Sequence, residues 1–582
     1  MTKNNYTSAL FLCLLLLMTA TATAQEACYD KLQKTYTLHA DGSQEYRCNT
    51  ELTLFTHTAM NSTFGESFIT YNPEFQELKI HSSYTRQKDG SIVKTPDNAF
   101  VEVLPRAAAD APAWNHLKEM VVVHTGLELG ATIYLDYSIL TRPGYLTELD
   151  IYENLQQPVP VKECTVTLNL PEGKPSHYAL KGAATQPKVT TVDGMKQICW
   201  RLRNLTALPR EYQAKSTQLL TATTYASPAA SLKTLLAQFT PAGDAQLLTI
   251  AESLTEGKTT EMEKVEVIHN YVQNQFGKCA LNLQGSYYRL RPANDVINSA
   301  YATEAEKANL ISGLLIAAGI QAEVVASYNT QLPAEALGLS AIDELFVLAK
   351  ADGNTCTLTT RNAKSADAVW TGNQGHQLSL TRAGEVVTLP THHTNIHSQA
   401  VITLTTEKAV AKITATIGKE LVPYYGDNAA TLTGAGKEAT MVRKGNDVIY
   451  TYTTEEALKE TAGYVLVSLP DLPLCLTHSP FVASNSSRQT SLRLPYLATE
   501  QMEYSIQLPE GMKLATPVGT RKIDNATGNL TITIGQTGNT VTVSRQIVLK
   551  EQTITPALFP AFRTLINHWT DVNGTQLLIH SK

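Results

Sequence analysis

The sequence predicts a multi-domain α+β protein, in which a β-sandwich, a mixed α+β domain and a second β-sandwich follow one another. Strand-like segments that alternate apolar and polar residues, separated by Asp-Gly turns, dominate residues 28–221 and return from residue 399 onward. Helical periodicity takes over between them. The predicted boundaries are 1–24 for a signal peptide, 25–222 and 396–582 for the β-domains, and 223–395 for the α+β domain.

The composition and the first residues indicate in which cellular compartment the protein is expected to work. The net charge of −6 is ordinary for a globular chain and gives no indication of nucleic-acid binding. Lys3 precedes an apolar run from Ala9 to Met18, and Ala22-Thr23-Ala24 follows it, which is the pattern of a secretory signal cleaved before Gln25. That run is too short to span a membrane comfortably. We therefore expect an exported protein, periplasmic or at the cell surface, that is soluble after cleavage near Ala24.

Seven cysteines remain beyond the signal, and their odd, scattered arrangement is not a disulfide framework. Cys164 and Cys199 lie on strand-like segments, where they either pair or remain isolated buried thiols. The absence of a Cys-x-x-Cys motif argues against zinc. We expect neither a metal nor a cofactor.

The first β-domain is predicted from its turns and its alternation. HADGSQ (39–44) and KDGS (88–91) are hairpin turns, and Ile133, Leu135, Tyr137 and Ile139 alternate with polar residues as in a half-buried strand. LNLPEG (168–173) is a strand that ends in a turn. Short strands at this spacing predict a large β-sandwich.

Helices begin with Ser227-Pro228, an N-cap followed by proline at the first helical position. Further helices are predicted at 244–254, 261–276 and 291–299. His269 flanks the apolar face of the 261–276 helix and is expected to be packed or solvated rather than catalytic. A buried helix then starts with the capping box Thr303-x-x-Glu306 and ends at Gly319, before a β-branched strand at 320–327.

This helix, its glycine and its strand resemble the core of transglutaminase-like (papain-like) domains. The matching residues are Leu314, Leu315, Ala317, Ala318, Gly319 and Ile320. The resemblance covers about residues 227–390. The order of turns in the first β-domain is also similar to a β-domain of unknown function that precedes such domains in exported bacterial proteins. The resemblance implies a cysteine nucleophile at the N-terminus of the helix, a histidine on a following strand and an aspartate on the next strand.

The positions that correspond to this triad are Glu304, Glu344 and Thr359. None of these side chains can serve as the thiol nucleophile or rebuild its base. The sequence therefore predicts a non-catalytic member, a pseudoenzyme, whose former cleft residues Glu304, Glu344 and Thr359 are the candidates for binding. Its expected partner is an unidentified protein, peptide or glycan of a bacterial cell envelope.

Three alternatives remain open. A displaced nucleophile, Cys279 or Cys356, would make the chain a cysteine acyl-transferase or peptidase, although neither opens a helix. Glu304 and Glu344 are a candidate carboxylate pair for a hydrolase acting on glycosides. The simpler expectation is that Glu304 favours the first helical turn and Glu344 is solvated. The third alternative is a surface adhesin or glycan-binding protein.

The last part of the chain is again predicted to be β. The histidine-rich stretch 391–397 has His393 and His397 four residues apart, but its composition predicts strand or loop, and we expect an exposed connector between domains rather than a metal site. TITIGQTGNTVTVSR (531–545) is a predicted hairpin, and IQLPEG (506–511) echoes LNLPEG. Leu558, Phe562, Leu565 and Trp569 mark an amphipathic helix.

Overall fold

The computed structural model describes residues 25–241, 243–328, 332–361, 375–389, 393–418, 439–444, 447–473, 475–479, 486–494 and 497–581. The chain forms two compact units. The first contains the residues up to Leu208 and Ser216–Thr224, and the second contains Pro209–Lys215 and all residues from Tyr225. The predicted signal peptide lies outside the described residues.

The first unit is built from strands alone, apart from short helical turns. Its strands are β1 Ala27–Leu38, β2 Gln44–Leu54, β3 Glu66–Tyr71, β4 Gln76–Arg86, β5 Ile92–Lys94, β6 Phe100–Val103, β7 Lys118–Val123, β8 Thr132–Thr141, β9 Asp150–Asn154, β10 Val161–Pro171, β11 His177–Lys181, β12 Lys188–Val192, β13 Met195–Leu205 and β14 Leu219–Thr223.

An eight-stranded sheet, in the order β12-β13-β10-β1-β2-β8-β4-β5, forms the main layer of this unit. Two three-stranded sheets, β11-β14-β9 and β3-β7-β6, complete it. Apolar residues of β10 and β13, including the buried Trp200, share a core with Ile151 of β9 and Leu220 of β14. Both predicted Asp-Gly hairpins, β1–β2 and β4–β5, are confirmed.

The cysteine pairing left open by the sequence does not form. Cys164 lies opposite Leu202, whereas Cys199 lies opposite Thr167. The two thiols are therefore on opposite faces of the sheet, because side chains alternate along a strand. All seven described cysteines are free of disulfides.

The second unit begins with the helices and small sheet of the mixed domain. These elements are α1 Pro228–Leu236, α2 Ala245–Thr255, α3 Glu261–Gln275, β15 Gly277–Lys278, α4 Ala293–Ser299, β16 Tyr301–Ala302, α5 Glu304–Ala317, β17 Gln321–Tyr328, β18 Ile342–Ala351, β19 Asn354–Leu358 and β20 Gln377–Ser379. The sheet has the order β19-β18-β17-β20. Helix α5 is almost wholly buried, and Gly319 turns the chain into β17 with a φ of 81°.

The remaining elements are β21 His393–Leu404, β22 Lys408–Ile417, β23 Thr440–Lys444, β24 Asp447–Ala457, β25 Tyr464–Ser468, β26 Leu492–Arg493, β27 Leu497–Gln507, β28 Lys513–Leu514, β29 Gly519–Asn525, β30 Gly528–Thr537, β31 Thr540–Leu549, β32 Thr553–Ile554, α6 Phe559–Trp569, α7 Val572–Thr575 and β33 Gln576–His580. Eight of these strands form one sheet, in the order β23-β24-β22-β21-β27-β31-β30-β29. The predicted hairpin is β30–β31, and the predicted amphipathic helix is α6, whose Trp569 is fully buried.

From His393 onward the histidine-rich stretch is a strand, which its composition allowed, but the expectation of an exposed connector between domains was wrong. His393 and His397 lie in β21, an internal strand of the large sheet, and the predicted boundary after residue 395 falls inside that strand. A strand rises about 3.3 Å per residue, so histidines four residues apart are too distant to share a metal ion. His393 is within 2.8 Å of the Thr499 hydroxyl.

The two large sheets share an arrangement at their centres. In each, the first strand of the domain is antiparallel to the next strand and parallel to a later one: β1 pairs with β2 and β10, and β21 pairs with β22 and β27. The two Leu-Pro-Glu-Gly turns end these later strands, β10 and β27. The repeated motif therefore marks equivalent positions in the two sheets.

Candidate functional site

The start of α5 is held rigidly by a buried ion pair. Thr303 and Glu306 form the predicted capping box: the Thr303 hydroxyl accepts from the Glu306 amide at 3.2 Å, and the Glu306 carboxylate accepts from the Thr303 amide at 2.8 Å. Glu306 is completely buried, and Arg291 donates to both of its oxygens at 2.8 and 2.9 Å. The Arg291 guanidinium also lies over the Tyr301 ring. This network fixes the position of Glu304, the first residue of the helix.

Glu344 and Thr359 lie together next to this helix start. Thr359 follows β19 directly, and its hydroxyl donates to Glu344 Oε1 at 3.2 Å. Glu344 is only 4 % exposed, so the expectation that it is solvated was wrong. Its pKa is raised to about 7, chiefly by burial; the charge of Arg361 opposes this rise and the charge of Glu304 adds to it. Among the described residues, no hydrogen-bond donor reaches Glu344 Oε2.

Basic side chains lie near these carboxyl groups. The Arg361 guanidinium lies 3.8 Å from Glu344 and 3.9 Å from Asp343. Burial is the main cause that lowers the pKa of Lys215, and Asp343, Arg493, Arg361 and Glu344 all act on its ammonium. We call this group the ionic cluster; its members are the carboxyls of Glu304, Asp343 and Glu344 and the cations of Lys215, Arg361 and Arg493. With every group ionised the charges balance.

His269 contributes a contact that the sequence did not indicate. It is 1 % exposed, and its Nε2 lies 3.0 Å from the carbonyl oxygen of Thr359. Because a carbonyl oxygen only accepts, Nε2 carries the proton. Gln273 donates to the same oxygen at 2.7 Å. One turn apart on α3, these two side chains hold the backbone at Thr359, so His269 is packed, as expected, and has a positioning contact there.

The two candidate thiols have different surroundings. The parallel pairing of β15 with β16 places Cys279 beside the start of α5. Burial raises the pKa of Cys279, and Glu306 raises it further, so the environment does not favour the thiolate that a nucleophile requires. Within the described part of the chain, no histidine hydrogen-bonds Cys279. Cys356 is buried in β19, with its sulfur 3.9 Å from that of Met262.

The arrangement limits the chemistry of this site. A thiol acyl-transferase needs a cysteine, a base within hydrogen-bond reach and a group that orients the base. At the positions that the resemblance assigns to these groups the chain has Glu304, Glu344 and Thr359, and Arg361 lies beside Glu344. Within the described ranges, no group of three or more His, Cys, Asp or Glu side chains is arranged to hold a metal ion, and no helix is long and apolar enough to cross a membrane.

Family models match three parts of the chain. A transglutaminase-like superfamily model matches residues 248–374. Two domain families of unknown function with solved structures match on either side, DUF3857 over residues 40–209 and DUF3858 over residues 464–579. This order confirms the predicted arrangement of a β-domain, a transglutaminase-like domain and a second β-domain, and with it the multi-domain α+β fold class.

A solved structure matches almost the whole chain. It is a protein from Parabacteroides distasonis ATCC 8503, described as a putative protease, with 40% sequence identity and a TM-score of 0.78 over 95% of this chain and 99% of that one. The chain belongs to the same family as this Parabacteroides protein. The carboxyls of the ionic cluster and Arg361 lie within the part of the chain that the transglutaminase-like model matches.

Other similarities are much weaker. A zinc metallopeptidase of the M1 class from Deinococcus radiodurans matches with 10% identity and a TM-score of 0.18, over 34% of this chain and 42% of that one. A two-domain M1 zinc metallopeptidase matches with 12% identity and a TM-score of 0.20, over 34% and 41%. Similarity at this level carries no argument about function. The search of curated proteins found no significant match.

Proposed function

We propose that this family member is an exported, non-catalytic protein of the bacterial cell envelope, in which the transglutaminase-like domain serves binding or scaffolding. The observation that supports this most directly is the hydrogen bond between Thr359 and Glu344, with Arg361 beside them, at the positions that the resemblance assigns to the base and its orienting group. A carboxyl held by a hydroxyl and an arginine does not activate a thiol.

The surroundings of Glu304 support the same proposal. Glu304 begins α5, where an acidic side chain is stabilised by the helix dipole. Its neighbours in the cluster are cations and other carboxyls, which do not provide a nucleophile for acyl transfer. The residues thus retain the fold of the domain and replace its reactive groups.

Export is supported by the apolar run and the Ala-x-Ala sequence of residues 1–24. The partner class that we propose is a protein, peptide or glycan of the envelope. N-terminal sequencing of the protein recovered from a fractionated producing cell should start at Gln25. Recovery of the chain from the cytoplasm with Met1 intact would contradict the export proposal.

Thiol chemistry is tested with the purified protein. We expect no incorporation of a fluorescent primary amine into a glutamine-rich protein and no cleavage of a casein digest, both before and after treatment with iodoacetamide. Cys279→Ala and Cys356→Ala are matched controls. Activity that iodoacetamide abolishes, and that is lost in Cys279→Ala but kept in Cys356→Ala, would refute the proposal in favour of a displaced nucleophile.

A carboxylate hydrolase is a second candidate, favoured by one observation. Burial raises the pKa of Glu344 to about 7, and a general acid works best when its pKa lies near the working pH. The pairing of Glu344 with Arg361 and its burial speak against access to a substrate. Hydrolysis of an oligosaccharide or peptide that resists iodoacetamide and disappears in Glu304→Gln would establish this candidate and refute the first.

A further inference from the structure

A cavity of about 530 Å³ lies at one end of the transglutaminase-like sheet, away from the triad position. Its lining comes from β17, β18 and β19 and from residues 381–388, which follow β20. Lys350, which lines the cavity, and Glu344 are six residues apart on β18, a distance of about 20 Å along the strand. Cavities of roughly 300–1,000 Å³ are the usual size for small ligands. The cavity is therefore large enough to be a binding site of its own.

One wall of the cavity is fixed by an ion pair. Arg382 donates to both carboxylate oxygens of Glu323, at 2.8 and 3.1 Å, and the Ser379 hydroxyl donates to the same carboxylate at 2.6 Å. Burial opposes the ionisation of Glu323, but these hydrogen bonds and the charges of Arg382 and Lys350 keep its pKa below the ordinary value. Arg382 also donates to Glu385, which lies outside the lining, at 2.6 Å. Glu323 and Arg382 thus neutralise each other within the wall.

The turn 379–387, which carries this arginine, is held in place by its own backbone and by α1. The Ser379 amide donates to the Glu385 carbonyl oxygen at 2.8 Å. Gly384 has a φ of 79°, and a Cβ atom at this position would lie 3.1 Å from the Cα of Ala229 in α1. The turn therefore packs directly on the helix. A wall that is ordered before binding spares a ligand the free energy of ordering it.

Apolar side chains form the floor and one lip of the cavity. Leu348 and Val387 are buried, in a cluster with Val325 and Phe346. Val386 at the lip is 74 % exposed, more than any other large apolar side chain in the described part of the chain. An apolar group that enters the cavity would remove both the floor and this valine from water, which is favourable.

Lys350 is the cation of the lining that is left without a direct partner. Its side chain is exposed, and within the described ranges it makes no hydrogen bond or ion pair. Across the sheet it pairs with Gln321 on one side and Thr355 on the other, and both of these residues line the cavity. An ammonium between an amide and a hydroxyl is a set of hydrogen-bond donors suited to a carboxylate.

From this arrangement we propose that the cavity binds a small ligand in which a carboxylate lies next to an apolar group, such as a short peptide with a free C-terminus. Lys350, with Gln321 and Thr355, binds the carboxylate, and the apolar group packs between the floor and Val386. An acidic sugar whose carboxylate lies beside a methyl group offers the same chemistry. This inference goes beyond the proposed function, because the cavity is separate from Glu344 and does not depend on whether the triad position is inactive.

Titration calorimetry with three probes tests the ligand class on the complete protein. The probes are N-acetyl-alanyl-valine as the free acid, the same dipeptide as its amide, and N-acetylmuramic acid. The free acid should bind at least about tenfold more tightly than the amide, since a hydrogen bond to a charged group is stronger than one between neutral groups. Binding of the sugar acid but not of the peptide acid would support the carboxylate site and assign the sugar as its source. Equal affinity of acid and amide, or no binding of either acid, would overturn the inference.

Variants of the lining then locate the binding. Lys350→Met keeps the apolar stem and removes the charge, so it should weaken binding of the acid about tenfold or more, whereas Lys350→Arg should retain it. Val386→Asp should also weaken binding, because it places a carboxylate at the lip. Lys459→Met is the matched control, since Lys459 is an exposed lysine of the C-terminal β-domain. Affinity that is unchanged in Lys350→Met, or that falls equally in Lys459→Met, would overturn the inference.

Discussion

Replacing Glu344 by glutamine is expected to remove a pH-dependent loss of stability from the protein. The folded pKa of Glu344 is raised to about 7 from an ordinary value of 4.5, chiefly by burial. Between these two values the unfolded chain has released this proton and the folded chain still holds it. The unfolded state therefore binds fewer protons, and the free energy of unfolding falls as the pH rises through this window.

The size of this change in the free energy of unfolding follows from the shift in the pKa of Glu344. Each unit of pKa is worth about 1.4 kcal/mol, so the stabilisation by Glu344 that is present below pH 4.5 should decrease by about 3 kcal/mol above pH 7. Glutamine carries no charge at any of these pH values. The free energy of unfolding of Glu344→Gln minus that of the wild type should rise by about this amount from acidic to alkaline pH.

The assay is urea unfolding of both proteins at half-unit steps of pH, followed by circular dichroism. All other titrating groups are common to the two proteins and cancel in the difference. Glu407→Gln, on an exposed turn between β21 and β22, controls for the loss of one surface carboxyl. A difference that stays flat or falls with pH would show that Arg361 holds Glu344 ionised, and would refute the reasoning from burial.

Three further predictions concern other buried groups. Glu306→Ala leaves the Arg291 guanidinium buried without its partner and should cost about 3–5 kcal/mol of stability, seen as a lower urea midpoint; a loss below 1 kcal/mol would contradict this. Burial lowers the pKa of His124 to about 4, so the wild type should lose stability as the pH falls from about 6.5 toward 4, and His124→Gln should lose less. If the free energy of unfolding falls equally with pH in the two proteins, this prediction is wrong. Trp569→Ala should cost about 3–5 kcal/mol, because this side chain is fully buried under the last sheet, whereas Val572→Ala, at an exposed site, should change little.

The fold could be predicted from sequence wherever a local rule applies. The Thr303 capping box, the Gly319 stop and the Asp-Gly turns each depend on residues within a few positions of one another, and all three are confirmed. For residues 393–397 the composition predicts strand or loop but does not decide between a connector and a strand inside a sheet. Strand β21 is internal to a large sheet, and such a strand is defined by partners far along the chain.

The candidate site was predicted only in part. Spacing from Gly319 gave Glu304 as a candidate site residue, and the strand pattern gave Glu344 and Thr359. The burial of Glu344 could not be predicted in this way, because it depends on side chains distant in sequence. Lys215 and Arg493 come from parts of the chain far from the helix, and no local pattern connects them with it. Arg361, two residues after Thr359, was the signal available in sequence, since a cation next to a predicted carboxyl site is a candidate partner.

The first strand of each β-domain pairs in parallel with a strand that comes much later in the chain, and this affects folding during synthesis. Strand β1 can complete its pairing only when β10, near the other end of the same domain, is present, and β21 depends on β27 in the same way. Contacts so distant in sequence form slowly, because a long loop must close before they contribute. A chain that emerges from its N-terminus therefore presents an unpaired central strand edge for much of each domain's synthesis, and such edges promote aggregation. Both β-domains should depend on protection by a holdase during biogenesis more than the compact helical segment between them.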